Sequence, residues 1–120
     1  MESRRQQKVA SLLKDSMATY FMKKRGDFLG NRVLVSILSV SVTPDMGFAR
    51  FYVSFLPDKE KQAMVDALNA NVRKIRADIA TDLRHALRVI PVIEFYLDDS
   101  IAHASHMEEL FKKLREEGEL

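Results

Sequence analysis

Cysteine is absent from these 120 residues, and glycine (four) and proline (three) are scarce. Without cysteine there is no disulfide framework and no thiolate chemistry, which fits a reducing, cytoplasmic setting. Nothing resembles a signal peptide or a membrane span: the longest apolar stretches are broken by serines and fall well short of the roughly 20 residues a spanning helix needs. There is no glycine-rich phosphate loop, no nucleophile beside a recognisable base, no internal repeat and no low-complexity tract. The one grouping that resembles a metal site is Asp98, Asp99, His103 and His106. Its histidines are three apart and could share a helix face, but no third fixed ligand accompanies them. Asp98-Asp99-Ser100 is explained more simply as the cap of a following helix. Neither enzymatic activity nor a metal, cofactor or small-molecule substrate is expected.

Charge is present but unevenly spread. The net charge is only +2. Residues 1–25 nevertheless carry Arg4, Arg5, Lys8, Lys14, Lys23, Lys24 and Arg25 against Glu2 and Asp15. Residues 71–88 carry Arg73, Lys74, Arg76, Arg84 and Arg88 against Asp78 and Asp82, and residues 94–120 reverse the sign. This points to a basic side for a polyanion and an acidic side kept away from it.

Periodicity orders the elements. Val9, Leu12, Leu13, Tyr20 and Phe21 mark one face of a helix over about 4–24, broken by Gly26 and Gly30. A strand over about 32–42 is apolar on both sides in its first part, then polar at Ser39 and Ser41. The first part is therefore expected to be covered on both faces. Pro44, Asp45 and Gly47 form a turn in which glycine accommodates positive φ. A second strand, about 48–56, alternates: Ala49, Phe51, Val53 and Phe55 inward, Arg50, Tyr52 and Ser54 outward. Pro57 ends it, and Asp58 is placed to cap a short helix over 59–70. A second helix, about 72–89, carries Val72, Ile75, Ile79, Leu83, Ala86, Leu87 and Ile90, and Pro91 stops it. A kink at Asn71 separates the two, since asparagine tolerates the left-handed region. A third strand places Ile93, Phe95 and Leu97 inward. A last amphipathic helix over about 102–116 has Met107, Leu110, Phe111 and Leu114 on its inner face.

The expected fold is α+β. It is a type II KH-like arrangement (helix, strand, strand, helix, kink, helix, strand) with helices on one face of a three-stranded sheet and a helix added at the end. One domain spans 1–120, its core covering about 4–98. KH domains clamp nucleic-acid backbone with a GXXG loop, and GXXG occurs nowhere in this chain. That counts against ordinary sequence-specific single-strand binding.

The stretch from 42 to 54, VTPDMGFARFYVS, resembles the signature hairpin of the ribosome-binding factor A family through Asp45, Met46, Ala49, Arg50, Phe51, Tyr52 and Ser54. Ile75-Arg76, Leu87-Arg88-Val89-Ile90-Pro91, Phe95 and Asp98-Asp99-Ser100 match the family's later motifs in order. The resemblance runs over about residues 3–115. It departs at Asn71-Val72-Arg73, where many members carry Ala-X-Gly, and Asn71 is expected to supply the bend by entering the left-handed region. The resemblance implies a monomeric, cytoplasmic factor that binds the immature 30S subunit and its 16S rRNA and assists maturation and rRNA processing.

On a wheel for a helix over 72–89, Arg73, Arg76, Arg84 and Arg88 fall within one arc of roughly 120°, with Asp78 and Asp82 on the opposite flank. Arginine makes bidentate bonds to phosphate and stays charged. The expected RNA-binding set is therefore this edge with Asn71 and Lys74, plus Arg4, Arg5, Lys8, Lys23, Lys24 and Arg25 of the first helix. The competing reading is a KH-like protein-interaction module without direct rRNA binding, using Phe48, Tyr52 and the acidic last helix.

Overall fold

The computed structural model describes residues 2–98 apart from Arg25, Asp27, Asn31 and Asp58. The expected last helix, with Asp99, Ser100, His103 and His106, lies outside the described residues. Helix α1 (Arg4–Lys24) is followed by strands β1 (Leu34–Val42) and β2 (Phe48–Leu56), helices α2 (Lys61–Ala70) and α3 (Val72–Leu83), and strand β3 (Val92–Leu97). The sheet order is β1-β2-β3, with β2 antiparallel to β1 and parallel to β3. The α2–α3 pair supplies the long crossover that a parallel neighbour requires.

The helices bury one face of this mixed sheet. Leu13, Met17 and Phe21 of α1, Leu68 of α2, and Ile75 and Ile79 of α3 meet Ala49, Phe51 and Val53 of β2 and Phe95 of β3, all nearly inaccessible to solvent. Phe95 packs between Phe21 and Phe51, with ring centroids 5.9 and 5.6 Å away.

Strand β1 departs from its expected exposure. Ile37 opposes Val53 and Ser39 opposes Tyr52, so Leu38 is an extra residue, a β-bulge. Odd positions (Val35, Ile37) point inward before it and even positions (Val40, Val42) after it. The two-sided apolar pattern is thus a phase change, not two covered faces, and Leu34 is 53% exposed.

The 43–48 turn also differs in detail. Positive φ falls on Met46 (61°), not Gly47. Asp45 Oδ1 accepts the Gly47 N–H at 3.0 Å and the Thr43 hydroxyl at 2.7 Å. A Cβ on Gly47 would sit 3.2 Å from that oxygen, so the glycine makes room for the carboxylate.

The bend between α2 and α3 is centred on Asn71 but without the left-handed region: its φ is −104° and ψ 12°. Its side-chain amide donates to the Ala67 carbonyl at 2.7 Å. The N-cap position of α2 is held by Glu60, which makes no side-chain cap. Helix α3 ends at Leu83, six residues before the expected end. The Arg76 guanidinium donates to the carbonyls of Pro91 (3.0 Å) and Ile90. In a continuous helix, residue 90 would lie roughly 21 Å along the axis from residue 76, beyond any arginine's reach. The chain must leave the helix and fold back to make these bonds.

Candidate nucleic-acid interface

The N-terminus of α1 is fixed by a reciprocal cap. The Gln6 N–H donates to the Ser3 hydroxyl at 3.1 Å, and the Ser3 N–H to the Gln6 side-chain oxygen at 2.8 Å. The buried Gln6 amide also donates to the Val42 carbonyl at 2.7 Å, anchoring the helix start beside the hairpin. From the opposite side, the Val92 N–H donates to the Gly47 carbonyl at 2.9 Å, drawing the 84–91 segment to the same turn.

These anchors create a groove of about 600 Å³. Arg5 and Lys8 of α1, Arg88 of the α3–β3 segment and the Asp45–Gly47 turn line it, over a floor that includes Val9, Leu12 and Leu87. All three basic side chains are exposed and form no ion pair among the described residues. Asp45 stands at the lip, its oxygen engaged within the turn. Three cations from two distant parts of the chain thus face an open, partly apolar trough, which suits phosphates flanking an apolar base.

The other expected contacts are dispersed. Arg84 holds the C-cap of α3 and Arg73 its first turn, both exposed and roughly 16 Å apart along the axis. Arg4 is exposed on the first turn of α1. Arg76 is half-buried and committed to the Ile90 and Pro91 carbonyls, so it acts as a brace. Lys74 pairs with Asp78 at 3.1 Å. Lys23 borders a shallow hollow shared with Asp78 and Asp82, and Lys24 is exposed in the last turn of α1, far from the groove. Asn71 is half-buried in the bend, and Arg25 lies outside the described residues. The single arginine edge is replaced by a basic groove and scattered outliers, because Arg88 lies beyond the end of α3 and Arg76 is committed to the Ile90 and Pro91 carbonyls.

Asp78 and Asp82 tie α1 to α3, accepting the hydroxyls of Tyr20 and Ser16, each at 2.7 Å. The Tyr20 hydroxyl, then Lys74, holds the Asp78 carboxyl below its ordinary value; Thr43 and the Gly47 N–H do the same for Asp45. A carboxylate with a depressed folded pKa stabilises above its unfolded value, and that contribution is lost as pH falls through the folded one. Thermal midpoints should therefore drop on acidification below about 3.9, and less steeply in Asp78→Asn. Parallel pH curves for the two proteins would show that Asp78 is not coupled to folding.

Among the described residues no group of three or more His, Asp or Glu could hold a metal, and no helix is long and apolar enough to cross a membrane. The family model described as ribosome-binding factor A matches residues 5–111. The ribosome-binding factor A of Cytophaga hutchinsonii is 37% identical over 114 residues, covering 95% of this chain and 85% of its own length. That of Chlorobium chlorochromatii is 38% identical over 114 residues, covering 94% and 89%. The crystal structure of ribosome-binding factor A from Thermus thermophilus superposes with a TM-score of 0.63 at 22% identity, over 77% of this chain and 94% of that one, which shows a shared fold. A homology model of the Thermus thermophilus factor, fitted into a cryo-electron microscopy map of its complex with the 30S subunit, gives 0.55 at 18% identity, over 82% and 97%. With a family model and relatives that run along nearly its whole length, this chain belongs to the ribosome-binding factor A family.

Proposed function

We propose that this protein is a non-catalytic assembly factor that binds the immature 30S subunit through its 16S rRNA in the cytoplasm and assists late maturation and rRNA processing. The observation that carries this reading is the meeting of Arg5, Lys8 and Arg88, without an ion pair among the described residues, around one groove. The Thermus thermophilus relative fitted into a 30S complex supports the partner. Exposed arginine and lysine gain most from phosphate, and Arg4, Arg73 and Arg84 extend the positive surface beyond the groove.

Cosedimentation with small subunits over a salt series tests the proposal. With about four phosphates neutralised, affinity should fall roughly a hundredfold between about 50 and 200 mM salt. Binding that ignores salt would favour the protein-interaction reading, and no binding to small subunits would overturn the proposal.

A further inference from the structure

Core packing accounts for Ala49, Phe51, Val53 and Phe55 of the hairpin. It leaves Arg50, Tyr52 and Ser54 unexplained on the opposite face of the sheet, where side chains stay half or fully exposed. There the rings form a series. Phe48 and Tyr96 flank the Arg50 guanidinium, each ring centroid 5.8 Å away. Tyr96 stacks on Tyr52, its direct partner across the parallel ladder, at 5.7 Å and 30°. Glu94, opposite Arg50 in register, is engaged by the Tyr96 hydroxyl. The series ends at Tyr52. One face of that ring meets Tyr96, and the other side of Tyr52 adjoins β1, where the bulge residue Leu38 and Ser39 oppose it, with Ser41 and Ser36 on either side. Beside an aromatic wall, these small residues leave a shallow trough with the exposed Arg50 at one end, opposite Ser41.

We propose that the open face of Tyr52 is a stacking site for an unpaired base of single-stranded RNA, whose polar edge meets the β1 serine hydroxyls. Arg50, exposed opposite Ser41 and flanked by two rings, offers its charge to the phosphate of the same nucleotide. Three serines surround the one apolar neighbour, Leu38, so the occupant needs polar edges as well as a flat apolar face. A planar group with hydrogen-bonding edges and an adjoining phosphate matches the ring, the hydroxyls and the cation. The trough also continues from the basic groove: Gly47 lines that groove, and Phe48 begins the ring series. A strand with its phosphates along Arg5, Lys8 and Arg88 would pass over the turn and reach Tyr52 after roughly 13 Å. That path rests on the function proposed above; the stacking does not.

The test titrates the full chain with a labelled short oligoadenylate and with an abasic ribose-phosphate chain of equal length. The native protein should prefer the oligoadenylate by roughly tenfold or more. Tyr52→Leu should abolish the preference while leaving abasic binding unchanged, which also shows that the variant is folded. Tyr52→Phe should retain it. Equal affinity of the native protein for both probes, or a preference that survives Tyr52→Leu, overturns the inference. So does loss of small-subunit binding in Tyr52→Leu with the base preference intact, which would mark this face as a protein contact. Glutamine at positions 5, 8 and 88 should weaken both probes by one factor. If neither weakens, the groove is not the phosphate site, and the base preference alone decides the stacking.

Discussion

Replacing Arg5, Lys8 and Arg88 together with glutamine should weaken small-subunit binding by roughly a hundredfold at moderate salt. Each residue loses a charge-assisted bond to phosphate, worth about 1.5–3 kcal/mol when well formed and less on an exposed rim. About 1 kcal/mol each gives the hundredfold. The salt dependence is the more diagnostic readout: each lost phosphate contact should flatten the log–log slope by about 0.7–0.9. Folding should be unaffected, because these side chains are exposed and unpaired among the described residues. Lys23→Gln, at the far end of α1, serves as the control and should change affinity little. Unchanged affinity in the triple variant would mean that RNA uses another surface. Arg76 does not belong in that set. Its removal strips two carbonyls of their donor, so any loss of binding would be confounded with loss of fold.

Asn69→Ala should be among the most destabilising changes outside the apolar core. Strand β3 is an edge of the sheet, and the Phe95 backbone presents both its groups to α2. Asn69 satisfies both: its amide donates to the Phe95 carbonyl at 2.9 Å, and its side-chain oxygen accepts the Phe95 N–H at 2.9 Å. Alanine deletes both bonds and leaves two partly buried groups unmatched, at a cost of about 2–3 kcal/mol. For a domain of this size the thermal midpoint should fall by roughly 10–20 °C. Asn69→Asp sharpens the test. Near neutral pH it turns an acceptor toward the Phe95 carbonyl and should be at least as harmful, while protonation in acid restores a donor. Asn71→Ala, losing one bond to Ala67, should cost only about 1 kcal/mol. A midpoint for Asn69→Ala within a few degrees of the native value would show that water replaces the clamp.

The order of elements and most of the core were legible because they rest on local periodicity. Leu13, Phe21, Phe51 and Phe95 are inward by a 3.6- or two-residue repeat, and they are buried. The end of α3 was not legible. Leu87 and Ile90 continue the apolar spacing of Ile79 and Leu83, yet they reach the core from an irregular segment held by Arg76. Periodicity records which residues are apolar, not the path that brings them inward. The groove was half legible. Arg5, Lys8 and Arg88 stood out as basic, but only the packing of α1 beside α3 and the Gln6 anchor bring them together. The Ser3–Gln6 cap was available as a Ser-x-x-Gln signal just before the helix. Asn69 gave no local sign of its partner, which lies 26 residues away.

Leu38 sets where this chain can change length. The ladder pairs Ile37 with Val53 and Ser39 with Tyr52, so the strand holds one residue more than its neighbour needs. Deleting Leu38 would leave a regular ladder with every inward residue still inward. Deleting a residue farther along, such as Ser41, would shift Val42 out of phase with Ala49. A relative one residue shorter at this point can therefore keep the same groove and the same ring face, and a gap there in a sequence comparison need not signal a lost site.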